Sequence, residues 1–162
     1  MGAWHPISTE WLLPFCFLLS IVSALVPWVN GEILLLSLTA LARSPSDLVG
    51  LVLAASAGQM AGKCGLYWAG RGAGRLQTPR IRGIVSRWKE RFEQNPARML
   101  MLVFVSSAVG IPPFYVITVL AGALRLKFAP FIGVGACGRL VRFGLLVSVP
   151  QIAIHLLHRT QA

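Results

Sequence analysis

Acidic side chains are scarce in this chain: Asp and Glu supply 5 of 162 residues, and all charged residues together supply 12%. A soluble domain carries roughly twice that share of charge. Hydrophobic residues make up 56%, and mean hydropathy is +0.70. A chain of this length cannot hide so much apolar surface in a water-soluble core. That excludes a soluble enzyme, a nucleic-acid module and a disordered regulator, and leaves an integral membrane protein. Cysteine is also sparse. Cys16, Cys64 and Cys137 each sit in an apolar run without CxxC or Cys/His spacing, so they read as small packing residues. No nucleophile elbow, P-loop or HExxH occurs, so no catalytic residue and no cofactor are assigned. His155 and His158 have no third ligand in view, and no metal site is assigned. The N-terminal Met1-Gly2-Ala3-Trp4-His5-Pro6 lacks a basic n-region, and no removable signal peptide is expected.

What the chain does have is 15 Lys and Arg, with eight of them between Arg71 and Arg98. This is the positive-inside pattern of a cytoplasmic loop beside anionic headgroups. Within it Ile81, Ile84, Val85, Trp88 and Phe92 recur at helical spacing between charged residues. The spacing predicts an amphipathic helix over 80–93 lying on the membrane surface.

Four apolar blocks flank or follow this loop: Trp11–Ala42, Leu48–Gly70, Met99–Leu124 and Phe128 to about Leu157. The second and fourth are long enough to span a roughly 30 Å hydrocarbon core. The first breaks at Pro27-Trp28-Val29-Asn30-Gly31-Glu32 into arms Trp11–Val26 and Ile33–Ala42. The third breaks at Gly110-Ile111-Pro112-Pro113 into arms Met99–Val109 and Phe114–Leu124. Proline removes amide donors and pushes the preceding residue out of helix. Non-helical backbone at membrane depth persists only where protein or a wet cavity covers it. The expectation is an all-α, polytopic single domain over 1–162. It has two re-entrant helical hairpins and two full spanning helices in an inverted-topology repeat: 11–70, the basic loop 71–98, and 99–158. The alternative is a pair of kinked spanning helices.

Charges inside the blocks point to a site, because each is costly in hydrocarbon unless paired or wet. Glu32 is the only acidic residue in any block and stands where a proton can be exchanged. Arg139 and Arg142 lie three apart on one helix face and call for an anion or Glu32 as partner. The expectation is that Glu32 and this arginine face share one buried polar site. Lys63 and Gln59, four apart, are polar companions, and Pro27, Asn30, Gly31, Pro112 and Pro113 form the hairpin tips. Ser106, Ser107 and Tyr115 flank the second tip in a structural role. Gly58, Gly62, Gly65 and Gly138 are expected to serve close helix packing.

Several short motifs, in order, resemble the DedA family (VTT domain, SNARE-associated Golgi protein family). The tip Pro27-Trp28-Val29-Asn30-Gly31-Glu32 followed by Ile33-Leu34-Leu35 is similar to that family's first hairpin. Gly58-Gln59-Met60-Ala61-Gly62 with Tyr67, Gly70 and Arg71 resembles its glycine helix. Ile111-Pro112-Pro113 with Ala121-Gly122 and Phe128 resembles its second hairpin, and Gly138-Arg139 with Arg142-Phe143 the last helix of its shorter members. The likeness covers about residues 20 to 145. It implies a transport-type fold and translocation of a lipid carrier or phospholipid, proton-coupled, in membrane homeostasis. Larger members carry arginines around the second-hairpin proline, where this chain has Val109 and Tyr115.

Residues and resemblance together give an inner-membrane, multi-pass transporter or flippase-like protein for an anionic lipid or small anion. The alternative is a non-transporting scaffold or assembly subunit. Expected partners are anionic lipid headgroups at the basic loop, a coupling proton and a second copy of the chain; nucleic acid is not among them.

Overall fold

The computed structural model describes residues 9–26, 28–73, 83, 86–90, 92 and 95–160. Pro27, most of the basic loop with Ile81, Ile84 and Val85, and the side chains of His155 and His158 lie outside the described residues. The regular structure in the described residues is α-helical. The helices with both ends in the described residues follow in order: α1 (Thr9–Leu25), α2 (Gly31–Thr39), α3 (Pro45–Ala73), α4 (Pro96–Val109), α5 (Phe114–Ala123) and α6 (Phe128–Thr160). Of the amphipathic segment, residues 86–90 are helical, and Trp88 stacks on Phe92 with centroids 5.6 Å apart.

Local chemistry explains where the helices start and stop. Asn30 caps α2, its side-chain oxygen accepting from the Glu32 amide at 2.9 Å. At the head of α3, Asp47 Oδ2 accepts from the amides of Arg43 and Ser44, and Ser44 Oγ accepts from the Asp47 amide. This reciprocal box satisfies amides that the first turn leaves open, and Pro45 takes the position where a missing N–H costs nothing. Gly110 ends α4 in the left-handed region, φ 89°, where a side chain would be disfavoured. Ser106 Oγ then donates to the Pro112 carbonyl at 2.6 Å and holds the turn that leads into α5. α5 closes on Arg125, also left-handed at φ 55°, with the Leu126 amide donating to the Ala121 carbonyl. The two broken blocks are thus helix pairs, α1–α2 and α4–α5, joined by short turns, and their boundaries fall within about three residues of those expected.

α3 over Pro45–Gly72 and α6 over Phe128–Val149 are each long and apolar enough to cross a membrane. The shorter helices show what solvent they suit. On α1, Trp11, Phe15, Leu18, Val22 and Leu25 are exposed at steps of four and three, while Cys16, Ser20 and Ser23 are buried. Leu12 and Ala24 are buried with them; a continuous large apolar stripe outside with serines inside still runs against the pattern of a water-soluble helix. An exposed apolar stripe of that length matches lipid, not water.

The chain divides into two compact units. Unit 1 comprises 1–59 and 140–162; unit 2 comprises 60–139. In unit 1, Leu12, Cys16, Leu35, Leu38, Leu51, Ala55, Phe143 and Val147 form one core. The Cys16 thiol, fully buried, donates to the Leu51 carbonyl. In unit 2 the core is Met60, Tyr67, Met99, Val103, Phe114, Ile117, Ala121 and Phe131. Tyr67 stacks on Phe131 at 5.1 Å, donates to the Leu126 carbonyl and accepts from Arg71 at 3.0 Å.

Glycines bring backbones together in both units. A Cβ at Gly58 would strike the Phe17 carbonyl. One at Gly70 would strike the Val119 carbonyl, and one at Gly122 the Tyr67 carbonyl. Gly138 lies against Ser107 and Phe104. Gly62 is buried. Gly65 departs from its expected packing role: it is exposed, and a Cβ there would meet nothing within 4 Å. The physical reason is helical phase. In unit 2, α5 docks on the Gly70 face of α3, five residues and therefore about 140° around from Gly65.

Candidate functional site

The first feature is an ion pair in unit 1. Glu32, second residue of α2, accepts from Arg142 of α6, 110 residues away in sequence. Nε donates to Oε1 at 2.7 Å, and Nη2 donates to the same oxygen. Side-chain exposure is 23% for Arg142 and 32% for Glu32, so the pair is half-buried and open to exchange. The carboxylate also stands in the first turn of α2, where the helix dipole favours negative charge.

A polar cluster lies beside this pair in the same unit. Gln59 Nε2 donates to Ser23 Oγ at 2.9 Å, and Ser23 Oγ donates to the Ser20 carbonyl at 3.0 Å. All three side chains are buried. Gly31 sits directly on them: a Cβ there would meet Gln59 and Ser23. A larger residue beside Glu32 would have to push the Gln59 and Ser23 side chains aside, and the hairpin tip rests on a hydrogen-bonded polar floor.

The second feature belongs to unit 2. Lys63 is 5% exposed, with its Nζ 5.9 Å from the centroid of the Phe114 ring. The guanidinium carbon of Arg139 lies 5.0 Å from the same centroid. Two cations share one aromatic ring, whose negative face offsets part of their repulsion. The helices of unit 2, residues 60–70 and 99–139, contain no Asp or Glu.

The sequence-selected residues thus fall as follows. Glu32, Arg142, Gln59, Asn30 and Gly31 gather in unit 1; Lys63, Arg139, Pro112 and Pro113 lie in unit 2. Of the two arginines, Arg142 donates to Glu32, and Arg139 is described with Phe114. Tyr115 is exposed, and Ser107 Oγ returns to the Phe104 carbonyl at 2.9 Å. Sequence reasoning missed Ser20, Ser23 and Phe114. The serines had a signal, two hydroxyls three apart inside an apolar block. Phe114 had none beyond following the tip prolines. Among the described residues, no group of three or more His, Cys, Asp or Glu gathers to hold a metal.

The geometry stands beside comparisons with known proteins. No curated protein and no solved structure matches the chain. The family model of the VTT domain matches residues 26–151, a stretch that takes in the Glu32–Arg142 pair, the Lys63–Arg139 pair and both hairpin turns. By that match the chain belongs to the VTT domain family, the membrane proteins of the DedA/SNARE-associated Golgi type.

Proposed function

We propose that this protein moves an anionic lipid or small anion across the membrane, coupled to a proton, and that Glu32 is the proton and counter-ion site. The family context agrees: VTT proteins are in general membrane proteins proposed as transporters or flippases, and the family is not in general one of enzymes. The observation that carries the reading is the Glu32–Arg142 pair, formed by the only carboxylate in the apolar blocks at the break of a helical hairpin.

A neutral pair of this kind has two ways to open. An anion can compete for the guanidinium, which offers planar, bidentate donors. A proton can neutralise the carboxylate and release the arginine. Either event leaves Arg142 available, so proton and anion binding are linked thermodynamically, each favouring the other. Lys63 and Arg139 supply a second attraction for the anion in unit 2.

The hairpins are read as re-entrant. α2 and α5, of 9 and 10 residues, reach roughly 13 and 15 Å, half of a hydrocarbon core of about 30 Å. The two helix pairs also dock alike, which supports the inverted repeat. Phe17 and Ser20 meet Gly58 in unit 1, and Phe104 and Ser107 meet Gly138 in unit 2. In this reading the protein is a multi-pass inner-membrane protein with 71–98 in the cytoplasm.

The test is lipid translocation in proteoliposomes of defined anionic lipid content, with and without a proton gradient. Wild type should respond to the gradient. Glu32→Gln should keep translocation but lose the response, and Arg142→Ala should lose translocation. Full, gradient-sensitive activity in the Glu32→Gln, Arg142→Ala double variant would end the transport reading and favour a scaffold.

A further inference from the structure

Unit 2 contains a cavity of about 360 Å³, within the usual range of ligand sites of about 300–1,000 Å³. Three elements build it: Lys89 and Phe92, the start of α4 at Met99, and the α5–α6 turn with Arg125, Leu126 and Lys127. Its wall is mainly apolar. Its charged side chains are Lys89, Arg125 and Lys127, each exposed, and no acidic residue is among the described lining. Arg125 holds its place at a backbone cost, since φ 55° is a position where glycine is the default.

We propose that this cavity binds the headgroup of an anionic phospholipid. Its phosphate sits among Lys89, Arg125 and Lys127, and the first part of its chains lies on Phe92, Met99 and Leu126. Charge complementarity selects an anion, and the apolar wall selects one that carries a chain. A soluble polyanion would leave that wall uncovered. Cations that merely snorkel to bulk headgroups need no cavity between them. This assignment does not rest on the transport reading, because binding is read without any flux.

Unit 1 supplies an internal comparison. A groove of about 450 Å³ there is lined by Leu48, Val52, Leu53, Gly144, Val147 and their neighbours, without a charged side chain among them. The experiment uses the full chain in phosphatidylcholine nanodiscs doped with photoactivatable phosphatidylglycerol or photoactivatable phosphatidylcholine. Labelled peptides are then mapped by mass spectrometry. Phosphatidylglycerol should label the 99–100 and 124–130 peptides well above phosphatidylcholine, and both probes should label the unit 1 groove equally. Each cation near anionic lipid is worth about a fivefold change in occupancy. Arg125→Gly should therefore cut the phosphatidylglycerol label about fivefold, and with Lys127→Ser about 25-fold. Glycine suits the left-handed position, so loss of label there is not misfolding, and Arg125→Lys should restore most of it. Equal labelling by the two lipids, labelling unchanged in the double variant, or full displacement by inorganic phosphate would overturn the proposal.

Discussion

Unit 1 sets a carboxylate against a guanidinium; unit 2 sets two cations against one aromatic ring. Both use a helical hairpin docked on long helices through glycine contacts, yet their charge balance differs. The first brings opposite charges together. The second brings two like charges to one ring. The same hairpin-on-helix packing thus accommodates either paired or like ionised side chains.

The comparison is tested most severely through the backbone contacts. Gly122→Leu in unit 2 and Gly58→Leu in unit 1 should each abolish folding or lower stability by more than about 3 kcal/mol, because the obstruction is backbone on the other side. Gly65→Leu should change stability by less than about 0.5 kcal/mol, since that position faces open space. Unfolding in mixed detergent micelles, followed by circular dichroism, reads all three. Equal losses at Gly65 and Gly122 would remove the distinction between packed and open faces.

The next effect separates the two charge arrangements. Arg142→Ala strands Glu32 and should cost about 1–3 kcal/mol, below the value for a fully buried pair because both side chains keep some exposure. The Glu32→Gln, Arg142→Gln double variant should recover at least half of that loss in the same unfolding assay. In unit 2, Phe114→Leu keeps the volume roughly and removes the ring. It should cost about 1–2 kcal/mol and weaken anion binding, measured by calorimetry with a short-chain phosphatidylglycerol. If Phe114→Leu proves neutral on both counts, the shared ring is incidental. The smallest effect is expected at Arg125→Gly, a gain of about 0.5–1 kcal/mol in stability from relief of the left-handed backbone.

These expectations mix what could be read from the sequence with what could not. The breaks in blocks one and three were legible because their causes are local. Prolines 112 and 113 lack an amide donor, Gly110 accepts φ 89°, and Asn30 caps the helix that follows it. The selection of Glu32 was legible from economy of charge, a carboxylate alone among apolar residues. Which arginine would donate to it was not. Arg139 and Arg142 differ by three residues, about 60° in helical phase, and the choice depends on where α2 docks. Phe114 was invisible for the same reason, since a ring acquires a role only from what the fold places over it. Gly65 follows Gly58 and Gly62 at helical spacing, but spacing alone does not say which face of α3 the helix α5 docks on.

One small feature of unit 1 gives the molecule a built-in clock. Cys16 is fully buried, its thiol turned to the Leu51 carbonyl, whereas Cys137 is exposed. A membrane-permeant thiol reagent should therefore alkylate Cys137 at once and Cys16 only during moments when α1 parts from α3. The ratio of the slow to the fast reaction reports the opening free energy of that hairpin in native conditions. It needs no denaturant and no introduced probe, and it would register any ligand that tightens or loosens unit 1 as a change in reaction half-time.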